Sequence, residues 1–368
     1  MSLTGSALFY LLIIGTAVSV VGTMLLWGAV RGPRPVRWLT RLLMIGLCQV
    51  TAIAVVAVWI NNSYGLYSSW DDLLGRNSGG SLTAAMPGPP AGRAAFTMGG
   101  NGIQETYFHG KYSKLSGEVL VWTPPQYGEP KYKNYRFPVM MLLHGDPGSP
   151  QSWVDGGSLP GSIADLMASG RVKPAIVVIP VIDPGGVDTD CSDTPDRKNA
   201  TWLAKDVPEL IETHFRALPE AKAWGLIGFS TGGLCSVKLS MQYPGTFASA
   251  VAMDADPFNG DPGILTDPQQ RKVNSPVWLA GKRPDVSLFV ATSAEDRDSP
   301  VSNITALENA VQWPTTLSAP LILASGGHNW GTWHRMFPTV FPWLSEHLDS
   351  AHEVAGKAKP KGASLTKR

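Results

Sequence analysis

Two apolar runs dominate the first sixty residues. Ala7 to Val30 is almost unbroken over 24 residues, and Leu42 to Ile60 adds another 19, interrupted only by Cys48, Gln49 and Thr51. Each reaches the ~17–25 residues that a helix needs to cross a bilayer. Between them RGPRPVRWLTR carries Arg31, Arg34, Arg37 and Arg41 and no acid. A short basic loop belongs on the cytoplasmic side, so both chain ends are expected outside the membrane. Trp27, Trp38, Trp59 and Tyr64 sit near the expected boundaries, as interfacial aromatics do. A signal peptide fits the first run poorly, because it has no basic segment before it and no A-x-A-like site, and a second span follows. Two buried core helices are the remaining alternative, and runs this long and pure exceed usual core helices.

Beyond Ile60 the pattern changes twice. Residues 61–102 turn to Gly, Ser and Pro, as in SGGSLTAAMPGPPAGRAAF, and read as a linker or irregular wrap. From there apolar β-rich runs recur at Gly117–Trp122, Pro138–Leu143, Ala175–Pro180, Ala223–Gly228, Phe247–Met253, Val286–Ala291 and Pro320–Ala324. Continuous runs such as VMMLL, AIVVI and LFVAT imply strands buried on both faces, hence a mainly parallel sheet. Trp202–Phe215 and Leu234–Tyr243 read as helices, the second stopped by Pro244. The alternation predicts one doubly wound α/β domain over about 103–348, with antiparallel strands at its start. Residues 349–368 are small, polar and basic, and read as a disordered tail.

Composition sharpens this division. Charged residues make up 16% of the 368, against ~25% in ordinary soluble domains. Arg31, Arg34, Arg37 and Arg41 are the only charges in residues 1–70, whereas 71–348 carries 21 basic and 27 acidic side chains. A net charge of +1 over the whole chain argues against a nucleic-acid partner, which requires a basic surplus. Three cysteines are too few for a disulfide-built scaffold or a four-cysteine zinc site.

The chemistry gathers where strands end. The strand AWGLIG runs into Gly228-Phe229-Ser230-Thr231-Gly232-Gly233 and then a helix. G-x-S-x-G in that context is a nucleophile elbow, a sharp turn that exposes the serine hydroxyl. An incidental serine in a glycine-rich turn is the plain alternative. A second strand ends in His144-Gly145-Asp146-Pro147-Gly148. In a serine acyl-transfer site one oxyanion donor is the N–H after the nucleophile, here Thr231. The other comes from the loop after an earlier strand, here the N–H of Asp146. His144 is expected to prop this loop rather than act as base.

His328 follows a strand and a Gly-Gly turn late in the chain, where the base belongs; His334 is the second candidate. The acid is expected between Ser230 and His328, and VSLFVATSAEDRDSP offers Glu295, Asp296 and Asp298. Asp296 is the choice, and Asp254 and Asp256 are less favoured. His328 and His334 are six apart rather than four and no neighbouring acid completes a zincin motif, so no metal is expected. HGDPGS lacks the G-K-[ST] ending of a phosphate loop, and no cofactor is expected.

VWTPPQY, FPVMMLLHGDPGSPQSW, WGLIGFSTGG and GGHNWGTWHRMFP together resemble the putative esterase family of α/β-hydrolases, which includes esterase D-like enzymes and actinobacterial mycolyltransferases. The likeness covers about 103–348. DTDCSD and GFSTGGLC are similar to segments of membrane-anchored actinobacterial hydrolases. The resemblance implies an α/β-hydrolase fold behind a two-helix anchor, with Ser230 as nucleophile, His328 as base, Asp296 as acid, and Asp146 and Thr231 as oxyanion donors. Cys191 and Cys235 lie outside the membrane in this topology, where disulfides persist. A bridge between them would tie the DTDCSD loop to the elbow helix; two separate buried thiols are the alternative.

The expected function is a membrane-tethered extracytoplasmic serine esterase acting on a lipid or cell-envelope ester. An acyltransferase using the same acyl-enzyme is the nearest alternative. A catalytically silent hydrolase fold used for binding is the next.

Overall fold

The computed structural model describes residues 6–64 and 88–354. Two helices open it, α1 (Ser6–Leu26) and α2 (Arg34–Tyr64). Both are long and apolar enough to cross a membrane, with few of their side chains buried. Their polar residues face each other: Ser19 Oγ lies 3.3 Å from Thr51 Oγ1, and Thr23 Oγ1 lies 3.4 Å from Cys48 Sγ. Pairing hydroxyls and a thiol between the helices suits an apolar setting, where unpaired polar groups would be costly. The basic loop is shorter than its sequence suggests. The turn occupies residues 27–33, helped by Gly32 at φ 128°, and Arg34, Arg37 and Arg41 are already on α2. Pro35 does not delay the helix, because a proline fits its first turn.

The expected linker 61–102 is only partly such. Residues 62–64 continue α2, and 65–87 lie outside the described residues. From Gly88 the chain is bound to the domain: the Gly88 N–H donates to Ser116 Oγ at 3.3 Å, and β1 (Thr97–Met98) pairs antiparallel with β2 (Gln104–His109). β3 (Ser116–Trp122) continues the antiparallel edge. β4 (Tyr135–Arg136) stands apart, paired with β12 (His352–Glu353), so ordered chain extends past 348. The rest of the expected tail, from 355, lies outside the described residues.

The main sheet is completed by β5 (Val139–Leu143), β6 (Ile176–Pro180), β7 (Trp224–Phe229), β8 (Ser249–Met253), β9 (Ser287–Ser293), β10 (Thr316–Leu317) and β11 (Leu321–Leu323). Its order is 1-2-3-6-5-7-8-9-10, with β11 also on β9. Every pairing from β6 through β5, β7, β8 and β9 to β10 and β11 is parallel. β5 to β8 are buried along their whole lengths, which explains their continuous apolar sequences.

Both faces are covered. On one side Val139, Met141 and Leu143 of β5 share a core with α4 (Val207–His214) and α5 (Thr231–Gln242). On the other Met140 and Leu142 share a core with α3 (Gly161–Ala168) and α6 (Trp330–Glu346). The expected helix Trp202–Phe215 is a π-turn over Trp202–Asp206 that leads into α4. This is the doubly wound α/β arrangement, and ligand sites in such sheets lie beyond the carboxyl ends of the strands.

Candidate active site

The carboxyl ends of five strands converge here. β7 passes directly into Ser230, and α5 starts at Thr231. Ser230 has φ 55° and ψ −129°, a conformation that costs a non-glycine residue ~1–3 kcal/mol and persists only where the surroundings impose it. They do. A Cβ on Gly228 would stand 2.1 Å from Gly232 O, and one on Gly232 would stand 2.3 Å from Leu143 O. The two glycines of the motif are therefore required by the close approach of strand, turn and helix. The Ser230 N–H donates to Met253 O at 3.0 Å, fixing the turn on β8.

His328 and Asp296 meet. His328 Nδ1 donates to Asp296 Oδ2 at 2.9 Å, which leaves Nε2 with its lone pair. The other carboxylate oxygen of Asp296 accepts the N–H groups of Asp298 (2.8 Å) and Ser299 (3.0 Å). Glu295 and Asp298 are exposed; Glu295 Oε2 accepts the Gly326 N–H at 3.1 Å. Of the three expected acids only Asp296 reaches the imidazole. The edge of Trp333 packs on His328, with ring centroids 5.4 Å apart, and Phe229 stacks on Trp333 at 4.4 Å.

Among the described residues no hydrogen bond joins the Ser230 hydroxyl to His328. Such contacts often tighten only when substrate is bound. Asp256 interacts with both regions: its N–H approaches Ser230 O at 3.4 Å, its Oδ2 accepts the Thr231 hydroxyl at 2.7 Å, and its charge acts on His328.

The oxyanion candidates sit on either side of the serine. Thr231 is the first residue of α5, a position whose N–H has no intrahelical acceptor. Gly145, next to Asp146, lies so close that a Cβ there would be 3.0 Å from Ser230 Cβ. The Asp146 side chain is exposed.

His144 and His334 are structural. His144 is fully buried, donates Nδ1–H to Gly145 O at 2.8 Å and accepts the Ile182 N–H on Nε2 at 3.2 Å. Burial lowers its pKa to about 4, so it stays neutral and pins the Gly145 loop to the end of β6. His334 Nε2 bonds Gly156 O at 2.7 Å, away from the Asp296 pair.

Cys191 and Cys235 form a disulfide, with Cα atoms 5.7 Å apart. One turn further along α5, Lys238 is fully buried and its Nζ donates to Ser192 Oγ at 2.9 Å. Burial lowers its pKa to about 8 despite the nearby charges of Asp190 and Asp188. Two buried groups of this region carry more than the sequence suggests: Lys238, which it did not single out, and Asp254, which it offered only as a less favoured acid. A lysine inside an otherwise small and apolar helix was the available signal for the first. Asp254 is visible in sequence only as a strand-end acid.

Electrostatics separate the pair. Burial opposes protonation of His328, but the Asp296 hydrogen bond and the charges of Asp296, Asp254 and Asp256 outweigh it and raise its pKa above 6.5. Burial pushes Asp296 up, but the bond to His328 and the two backbone donors more than offset this and hold it below its ordinary value. A base must be neutral to accept a proton. Activity carried by His328 should therefore fall as pH drops, with the acidic limb of kcat/KM centred above 6.5. A pH profile with its acidic limb below the ordinary imidazole value would exclude His328 as the base.

Asp254, Asp296 and His328 bring one potential ligand atom each within 4.8 Å of one another. With Nδ1–H donated to Asp296 and both Asp254 oxygens accepting N–H donors, the group is arranged for hydrogen bonding rather than for coordinating an ion.

The profile of the family described as "Putative esterase" matches residues 115–344. An uncharacterized protein of Corynebacterium glutamicum is 21% identical over 248 residues, covering 62% of this chain and 57% of that protein. The chain thus spans little more than half the length of that relative. Among solved structures, a ferulic acid esterase aligns with a TM-score of 0.57 at 21% identity, covering 67% of this chain and 98% of that one. An S-formylglutathione hydrolase from Agrobacterium tumefaciens aligns at 0.55 and 16% identity, over 69% and 99%. The fluorophosphonate-binding serine hydrolase F of Staphylococcus aureus aligns at 0.51 and 15%, over 70% and 99%. At these identities the structures establish a shared fold.

Proposed function

Given that the chain belongs to the putative esterase family, we propose that it is a membrane-tethered serine hydrolase that cleaves an acyl ester outside the cytoplasmic membrane. The observation that carries this reading is the His328–Asp296 pair at the same carboxyl edge of the parallel strands as a serine held in a strained strand-to-helix turn.

In the proposed reaction Ser230 Oγ attacks the ester carbonyl while His328 Nε2 takes its proton. The N–H groups of Thr231 and Asp146 receive the oxyanion. Asp296 holds the Nδ1–H tautomer and stabilises the imidazolium. As the tetrahedral intermediate collapses, the carbon–oxygen bond to the alcohol breaks and His328 returns the proton to it. Water then attacks the acyl-enzyme by the same route and releases the acid.

The apolar lengths of α1 and α2 support an anchor, and the basic turn between them supports an outward-facing domain. An enzyme held at the membrane meets lipid and envelope esters first, so these are the substrate class. Membranes containing the protein should release free fatty acid from a glycerolipid or acylated-sugar ester, read by mass spectrometry with and without an added sugar acceptor. An acyl-sugar product without free acid would replace hydrolysis by transfer. Protease added to intact cells should cleave the domain around Ser230; full protection would overturn the outward placement.

A further inference from the structure

Asp254 is a fully buried carboxylate that the reaction above does not use. It directly follows β8, and β8 lies beside β9, three residues past whose end lies Asp296. At Asp254 the chain turns through φ 41° while its N–H holds Ala291 O at 2.8 Å. The carboxylate itself is held at both oxygens: Oδ1 accepts the Ser293 N–H at 3.2 Å and Oδ2 accepts the Trp333 indole N–H at 2.8 Å. Trp333 is also the ring packed edge-on against His328. Thus one side chain fixes both the imidazole and the second acid.

From these contacts we infer that Asp254 is a positioning residue for His328, a second carboxylate that shares the imidazolium charge with Asp296 and can stand in for it. This rests on His328 being the base. The reason is chemical economy. An asparagine oxygen could accept only one of these two N–H groups, and its NH2 would meet the other donor, so both acceptors call for a carboxyl; a buried carboxyl in turn is costly unless its charge faces a positive partner. Nor can asparagine supply negative charge within 4.8 Å of the His328 ring and of Asp296. Two carboxylates that close do not ionise equally. Asp296, bonded to His328 and to two backbone N–H groups, keeps its charge. Burial, with the charge of Asp296 adding to it, pushes Asp254 up to about 6. The charged groups that act on Asp254 are Asp296 from the β9 loop and His328 before α6, and Asp256, two residues along, acts on His328.

The test is a cycle on the full chain with p-nitrophenyl butyrate, measuring kcat/KM against pH for wild type, Ser230→Ala, His328→Ala, Asp254→Asn, Asp296→Ala and the Asp254→Asn/Asp296→Ala double variant. Removing the sole orienting acid of such a triad costs roughly 10⁴-fold in rate. With Asp254 in reserve, Asp296→Ala should lose only roughly 10²-fold, and the double variant should fall to the deeper level. Asp254→Asn alone should move the acidic limb to lower pH, because removing a negative neighbour makes His328 harder to protonate. Equal rates for Asp296→Ala and the double variant, or an unmoved limb in Asp254→Asn, would overturn the inference. Should Asp254→Asn fail to fold, Asp296→Ala decides by itself: a loss of only roughly 10²-fold against wild type supports a second carboxylate, and a loss of roughly 10⁴-fold or more, the cost of a sole acid, excludes one. A wild type no more active than Ser230→Ala removes the esterase reading, and this inference with it.

Discussion

Ser230→Ala should abolish covalent labelling by a fluorophosphonate and lower ester hydrolysis by at least roughly 10⁴-fold, with the fold intact. The size follows from the role: without Oγ no acyl-enzyme forms, and what remains is binding plus the oxyanion donors. The fold should survive because the bonds that hold the turn are made by the backbone, from Ser230 N–H to Met253 O and from Gly233 and Leu234 N–H to Ser230 O. Alanine has the same Cβ, so it meets φ 55° at a similar cost. A gel-based labelling assay on membranes, with thermal melting of the purified protein beside it, reads both halves. Label retained in Ser230→Ala would place the reactive nucleophile elsewhere. An unlabelled wild type would favour a hydrolase fold used for binding.

What sequence made legible here depended on burial. β3, β5 to β9 and β11 were each foreseen within about two residues, and most are buried on both faces and so written as unbroken apolar runs. β2 was missed for the opposite reason: only Thr106 and Phe108 of QETYFH are buried, and its polar residues hide it from a search for continuous runs. β1, β4, β10 and β12 are two-residue pairings set by tertiary contact, with no local pattern to find.

The site followed the same logic. Ser230 and His328 were marked by local chemistry, a glycine-framed turn and a Gly-Gly loop after a strand. The acid was not, because Glu295, Asp296 and Asp298 differ only in which of them the loop turns inward. That choice is made by the N–H groups of Asp298 and Ser299 closing on Asp296 Oδ1. Asp254 joins the group through strand adjacency, a property of the sheet order and not of neighbouring residues.

Breaking the Cys191–Cys235 bridge, whose two cysteines are buried in the core, should cost the fold several kcal/mol of stability. The cysteines are 44 residues apart, and closing a loop of that length restricts the unfolded chain by about 4 kcal/mol in the chain-entropy treatment. At roughly 2–4 °C per kcal/mol for a domain of this size, Cys191→Ser/Cys235→Ser should melt about 10 °C lower. The loss should extend to the active site, because Cys235 is in the second turn of α5, the helix that begins one residue after Ser230. Lys238 shares the load, since its bond to Ser192 crosses the same gap. The bridge also bears on which way the domain faces. Disulfides last outside the cytoplasm and are reduced within it. Protein taken from its own membranes under thiol-blocking conditions should therefore contain the Cys191–Cys235 peptide pair by non-reducing mass spectrometry. Two blocked free thiols in that sample would instead place the domain on the reducing side and reverse the orientation argued from Arg31, Arg34, Arg37 and Arg41.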